Sequence, residues 1–505
     1  MKTSSLIRLS CVIFSAFLML YALTCQRGVG WQDSGIFQYS ALSGITVLPV
    51  DSCGGGLAVV HPTYRIALHM FSRCFPEPLR VYAANLFSGA GMAVALGLLF
   101  CLLRRLTGDV KAAVAATVTL GLAQMPWWLA TIAEVYTWSL MFLFAELLCL
   151  LNASEDKRAR WWAALAFVNG VHLSVHNLAL LNLPVYGVFF FRTYRREPLS
   201  AVCRRVATCA GMWLCGAAVL LWFFFKDVGV THSVAVSLKS LLVGQNFGGK
   251  VMGTGGVSWR LAVMNWGLAG VSLMNPCWLF ALLGFKRQDT ARNTSFRMSG
   301  YRACLLALTV IHFLFWVRYF VPDQVTFVLP TLGLLAIWMG IGIASYGLRI
   351  ANGKWWAVLA VGVVSSVGIP PMLVSAARAH VTRVRELPFR DEARYWLVPW
   401  KQNENSAQRF ADTLRESLQE GDVLIGDLTA ANPLVAESVL RPLRYRLVSG
   451  WTEEDESETV RVIDQALENK QRVFIVSPHR SYTIGAILEK YQFEREGVLW
   501  RVKAK

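Results

Sequence analysis

Residues 6–37, LIRLSCVIFSAFLMLYALTCQRGVGWQDSGIF, decide how the rest of the chain is read. The apolar run from Leu6 to Thr24 is long enough to cross a bilayer, which takes about 20 residues. Lys2 and Arg8 stand at its start, and basic residues favour the cytoplasmic side. That orientation sets the polar stretch Trp31-Gln-Asp-Ser-Gly-Ile-Phe37 just beyond the opposite face. A carboxylate at that level, Asp33, stays hydrated while it borders lipid, which suits chemistry on a lipid-linked molecule. The same spacing also fits a helix-capping Asp followed by a glycine turn. A basic start and an apolar run also describe a secretory signal. No small-x-small cleavage site precedes Trp31, and Ala22-Leu-Thr-Cys25 is a poor lipobox, so the segment reads as an uncleaved anchor.

Composition makes the whole chain polytopic. Of 505 residues 55% are hydrophobic, 19 are Trp, and the mean hydropathy is +0.44, well above an ordinary soluble protein. Further apolar runs lie at about 80–103, 110–125, 134–151, 161–176, 178–191, 206–225, 263–285, 303–318, 322–346 and 355–375, giving about 11 spans. Residues 378–505 hold 20 basic and 20 acidic side chains, so the whole net charge of +17 belongs to residues 1–377. Such an excess follows from the positive-inside rule and anionic lipid and gives no reason to expect nucleic acid. Arg104, Arg105 and Lys111, then Lys157, Arg158 and Arg160, then Arg192 to Arg205, Lys286 to Arg302, and Arg349 with Lys354 all fall in alternate loops. Those loops are expected in the cytoplasm with the N-terminus, and the opposite parity carries residues 25–79 and the tail to the outside of a bacterial inner membrane. The eleven Cys show no metal-ligand spacing; most sit in apolar runs as small hydrophobes. Cys53 and Cys74 share one outer loop and are a candidate disulfide.

After residue 377 the pattern changes, and residues 378–505 read as a separate extracytoplasmic α/β domain that folds on its own. Asp422–Asp427, Tyr445–Val448 and Arg472–Ser477 read as short buried strands, with helices near 404–419, 430–440, 454–469 and 482–490. The alternation predicts a small, mainly parallel sheet. It has no G-x-G-x-x-G or P-loop, and Glu453-Glu-Asp-Glu456 fits a helix start better than a metal site.

Ionisable residues expected near the outer face mark a candidate site, because each is costly beside lipid. Asp33, His61 and Arg65 come from the first outer loop, and Glu134 follows Pro126-Trp-Trp128. His172 and His176 lie one turn apart, and Arg318 and Asp323 flank a turn between two runs. Each residue taken singly also fits a solvated loop charge or a helix cap.

Trp31-Gln-Asp-Ser-Gly-Ile-Phe37, His61-Pro-Thr-Tyr64, Asn85-Leu-Phe-Ser88, Ala133-Glu-Val-Tyr136 and His172-Leu-Ser-Val-His176 follow one another in an order that resembles the GT-C superfamily of polytopic membrane glycosyltransferases. Within it, they are most similar to bacterial relatives of the animal protein O-mannosyltransferase for plexin-type domains. The resemblance covers residues 1–190 and extends more loosely to Val321-Pro-Asp-Gln-Val325 and Leu329-Pro330. It implies residues 1–377 as a transmembrane catalytic domain, a polyprenyl-phosphate sugar as donor, and an acceptor hydroxyl on a protein or glycan. It also implies inversion at the anomeric carbon, with Asp33 as general base and with His61, Glu134, His172 and His176 binding substrate. Arg65 and Arg318 are added as phosphate clamps because a guanidinium matches phosphate oxygens bidentately. Ile36 stands where the family commonly has a second acidic residue, which removes a possible second carboxylate and leaves the cofactor unknown, a divalent metal being open but not indicated; Tyr64-Arg65-Ile66 replaces the Gly-Tyr-Pro of the family's re-entrant turn. Two other classes compete: a transporter or flippase for a lipid-linked substrate, and a catalytically inactive membrane scaffold. A transporter predicts an internal repeat and polar groups at midplane, and neither pattern is seen in the sequence.

Overall fold

The computed structural model describes residues 3–45, 61–156, 159–243, 259–286, 296–347, 355–381, 387–449, 453–480 and 482–505. The candidate disulfide falls outside them, because Cys53 does.

The apolar runs form helices because only a helix satisfies every backbone N–H and C=O within itself inside lipid. Among the described residues six helical segments are long and apolar enough to cross a bilayer: Leu6–Thr24, Glu77–Thr107, Tyr136–Asp156, Gly300–Arg318, Gln324–Tyr346 and Trp356–Ala379. Two bent pairs, Leu199–Gly216 with Ala218–Thr231 (70°) and Trp259–Ser272 with Pro276–Lys286 (92°), raise the number to eight if each pair is one span. The expected count of about 11 is therefore not confirmed among the described residues. The remaining three runs form helices of only 13, 17 and 12 residues, Val110–Leu122, Ala159–Val175 and Leu183–Tyr194, below the roughly 20 that a perpendicular span requires. The chain is an integral membrane protein whose lipid-facing surface shows in the exposed Ile7, Val12, Met19 and Leu23 of α1 (Thr3–Thr24).

α2 (Asp33–Ser43) and α3 (Pro62–Arg73) follow α1, and α4 (Arg80–Thr107) packs against both α1 and α7 (Tyr136–Asp156). The tail then adds a sheet in the order β2-β1-β3-β5-β4, built from β1 (Val423–Gly426), β2 (Arg446–Ser449), β3 (Val473–Ile475), β4 (Tyr491–Glu496) and β5 (Leu499–Ala504). β1 pairs parallel with β2 and β3, at the three positions the apolar runs predict, while β5 pairs antiparallel with β3 and β4.

Side chains alternate across a strand, so each face of this sheet enters a different core. Val423, Ile425, Val473 and Ile475 pack with Val462, Ile463 and Ala466 of the Glu453–Glu468 helix in a core that belongs to the tail alone. Leu424 and Phe474 face the other way. They join Phe410, Leu414 and Leu434 in a core that runs without a break into the membrane helices through Trp31 and Trp128. The tail is thus seated on the membrane part by apolar packing as well as by hydrogen bonds.

Candidate functional site

A chain of three hydrogen bonds ties the loop between α1 and α2 to α2 and α4. Asn85 of α4 donates to Gln26 O (3.0 Å) and accepts from Gln38 Nε2 (2.8 Å), and Gln38 Oε1 takes the amide of Gly30 (2.8 Å). Ser88, one turn along α4, exchanges bonds of 2.8 Å with the backbone N and O of Glu134. The Asn85-Leu-Phe-Ser88 motif therefore fixes Asp33 and Glu134 to one helix without itself entering the site.

Gln32 sits at φ 56°, immediately before α2. A positive φ is costly for a residue with a side chain and persists only where neighbours hold it. Here the neighbours come from the tail. Gln32 N donates to Thr429 O (3.3 Å), and Asn432 Nδ2 donates to Gln32 O (3.0 Å). Gly35 completes the docking, since a Cβ there would lie 2.6 Å from the carbonyl carbon of Asn432. Trp31 is fully buried, donates from Nε1 to Ser406 Oγ (2.8 Å), and packs on Phe410 at 5.3 Å. Trp31, Gln32 and Gly35 of the quoted motif are thus contacts with the tail.

Asp33 is left facing a cavity of about 310 Å³ between the two parts of the chain. On the membrane side Asp33, Trp128, Glu134, Pro322, Asp323 and Thr326 line it; on the tail side Arg390, Trp396, Asp427, Thr429, Arg480 and Tyr482 do. The Asp33 side chain is solvent-exposed within this deep recess. Its pKa is raised, first by the surrounding protein and next by the charge of Asp323, against the opposing pull of Arg65. Glu134, 6% exposed, is raised well above the carboxylate range by burial and then by Asp33 and Asp323. Two carboxylates held high by burial and by the charge of a third, Asp323, in one recess are the pattern expected of acid–base work. Asp427 caps the Leu428–Leu440 helix through Ala430 N (3.1 Å), and burial pushes it up to about 6. Trp128 and Trp396 stack at 5.1 Å and 14°, an aromatic wall of the kind that receives the apolar face of a ring.

Of the sequence-predicted residues, Asp33, Glu134 and Asp323 come together on this cavity. Arg65 stands behind them. It is 3% exposed, donates to Ser40 Oγ (2.8 Å), lies over Phe37 at 5.3 Å, and acts on Asp33 through charge. His61 and His176 are stacked together at 5.0 Å, outside the lining residues. His61, at φ 55° before α3, must donate from Nδ1 to Val175 O (2.8 Å) because a carbonyl only accepts, which leaves Nε2 as an acceptor. Arg318 is exposed at the end of its helix and does not line the cavity.

His172 belongs to a different cluster. Its Nδ1 meets Glu146 Oε1 at 2.8 Å and its Nε2 meets Ser139 Oγ at 2.7 Å. Glu146 is fully buried halfway along α7 and also takes Asn169 (3.0 Å), Asn182 (2.8 Å) and Tyr186 (2.7 Å). The sequence reading passed over Glu146, and it passed over the tail residues Arg390, Trp396, Asp427, Arg480 and Tyr482. Among the described residues no group of three or more His, Cys, Asp or Glu has an arrangement that would hold a metal ion.

Residues 57–199 match the family model of the N-terminal domain of protein O-mannosyl-transferase TMEM260, which bears out the resemblance read from the motifs. No curated protein sequence matches the chain. Two crystal structures of ArnT from Cupriavidus metallidurans share its fold. The one bound to undecaprenyl phosphate is 14% identical with a TM-score of 0.56, and the apo form is 12% identical with a TM-score of 0.57; each alignment covers 97% of both chains. The chain thus carries the fold of ArnT over its whole length and, over residues 57–199, the sequence pattern of the TMEM260 N-terminal domain.

Proposed function

We propose that this protein is a membrane glycosyltransferase that moves a sugar from a polyprenyl-phosphate donor to an acceptor hydroxyl on the outer side of the membrane. Residues 1–377 carry the chemistry and residues 378–505 cover it. One observation carries the reading: Asp33, at the first residue of α2, opens on a cavity shared with Glu134 and Asp323. The donor class is supported by the ArnT fold, since one of the matched ArnT structures holds undecaprenyl phosphate, and the acceptor class by the O-mannosyl-transferase family model.

In the step itself Asp33 accepts the proton of the acceptor hydroxyl as its oxygen bonds to the anomeric carbon. The bond from that carbon to the phosphate oxygen breaks on the opposite face, inverting the centre and releasing the polyprenyl phosphate. A phosphate leaves without a strong acid, so the base is the group the chemistry needs. Glu134 and Asp323, with their hydrogen-bonding oxygens, and the Trp128–Trp396 wall suit a sugar's hydroxyls and ring face. Asp33→Asn keeps the size and loses the proton acceptor, so transfer from a competent polyprenyl-phosphate sugar should fall by about 10²-fold or more with donor binding little changed. Wild-type rates in that variant would remove Asp33 from catalysis.

A further inference from the structure

Arg390 is the feature of the cavity that the reaction as drawn leaves unused. It reaches the lining from the connection that follows the last membrane helix, and its side chain is completely buried. Nε and Nη2 both face Glu392 Oε1, at 2.7 and 2.5 Å. Nη1 has no hydrogen-bonding partner among the described residues. Leaving a buried donor unmade is costly, and more so when the group is charged, so such an atom calls for a partner that arrives from outside. The guanidinium is also rigidly seated, 4.5 Å over the Tyr395 ring and 5.6 Å over Trp31. Trp31 belongs to the same stretch as Asp33, so that one stretch supplies the base and the ring under Arg390.

Two neighbours favour an anion at this place. The Leu428–Leu440 helix opens on the cavity through Asp427, Leu428 and Thr429, and a helix N-terminus carries positive potential. Arg480 is the other guanidinium among the lining residues. Asp33, Glu134 and Asp323 repel an anion on the membrane side; on the tail side the cap Asp427 offsets part of the helix's positive end, so the positive charge of that wall rests on Arg390 and Arg480.

We infer that Arg390 is the phosphate clamp of the lipid-linked donor, contributed to the membrane site by the C-terminal part of the chain. Nη1 donates to a phosphate oxygen, Glu392 holds the fork in register, and the contact strengthens as the departing phosphate gathers charge. This rests on the donor class proposed above. It also gives the C-terminal part a direct role, because without it the site has a base but no clamp.

The test compares binding of undecaprenyl phosphate with that of undecaprenol to the full-length protein in nanodiscs, with melting temperature as the check on folding. Arg390→Gln with Glu392→Gln removes the buried pair together and leaves no lone carboxylate. Wild type should prefer the phosphate by about 10-fold or more, the yield of one charge-assisted hydrogen bond, and the double variant should lose most of that preference. Arg390→Lys, which keeps the charge beside Glu392 and loses the fork, should retain only part of it and decides the matter if the double variant does not fold. An undiminished preference in a folded variant overturns the role of Arg390 and leaves the donor class standing. A wild type that does not distinguish the two lipids overturns the donor class, and this inference with it.

Discussion

Glu146, fully buried, and Asp33, open to the cavity, are carboxylates built in opposite ways. Glu146 meets Asn169, His172, Asn182 and Tyr186 within hydrogen-bonding distance and has no exposed surface. Asp33 opens on a cavity it shares with Glu134 and Asp323, and the charge of Asp323 outweighs the opposing pull of Arg65 on it. An ionisable group inside a membrane helix usually marks function. Here the satisfied one ties helices together, while the crowded one, outside the spans, is the proposed base. The difference lies in what the neighbours supply: donors on four side chains in one case, like charge and open space in the other.

Removing Glu146 should have the largest effect on folding. Glu146→Leu orphans four polar groups at once, and each buried unsatisfied donor costs about 1–3 kcal/mol, so the purified protein should melt far below wild type or not accumulate. A variant that melts with wild type would mean the network is decorative and would erase the contrast. A smaller effect is expected in the pH profile. Only ionised Asp33 accepts a proton, so the rate should rise with pH through the raised pKa of Asp33. Asp323→Asn takes away one of the charges that raise it, and the rising limb should move to lower pH. An unmoved limb would separate the two carboxylates.

The smallest effect concerns stability at Asp33 itself. A folded pKa above the unfolded one gives stability that is present below the unfolded carboxylate pKa and is lost as pH rises through the folded value. Asp33→Asn removes that loss. At neutral pH the variant should therefore melt at or slightly above the wild-type temperature, with the gap closing in acid. A clear fall in melting temperature would show that Asp33 is structural after all.

Much of this was legible in residue order. Composition and the apolar runs specify a polytopic membrane protein, because a long helix is the one way such a run can satisfy its backbone in lipid. β1 and β3 are readable as short runs buried on both faces, β2 as a third short run although its Arg446 is exposed, and the helix at Glu453–Glu468 starts where the acidic residues predict. The hairpin of β4 and β5 was missed although its signal is local: two alternating strands joined by Gly497 and Val498, with Gly497 at φ 64°. The count of about 11 spans is not confirmed because hydropathy records apolar length without recording where a helix ends, and three of the runs form helices of 13, 17 and 12 residues.

Within the site, Asp33, Glu134 and Asp323 stand out in the sequence because a carboxylate beside an apolar run is conspicuous. Arg390 does not, because Phe389-Arg-Asp-Glu-Ala-Arg-Tyr-Trp396 has neither period nor motif, and its partners Trp31 and the cavity lie hundreds of positions away. His172 looked like its motif-mate His176, yet His172 lies in the last turn of the Ala159–Val175 helix and meets Glu146, while His176 lies past its end in extended backbone and stacks on His61. The sequence by itself therefore determined the class of protein, the spans that are long and straight, the strands buried on both faces and the acid most exposed to chemistry, since each depends on residues close together in the chain. Only the tertiary structure decided that the C-terminal part shares the membrane core and walls the cavity, because that depends on which faces of distant elements meet.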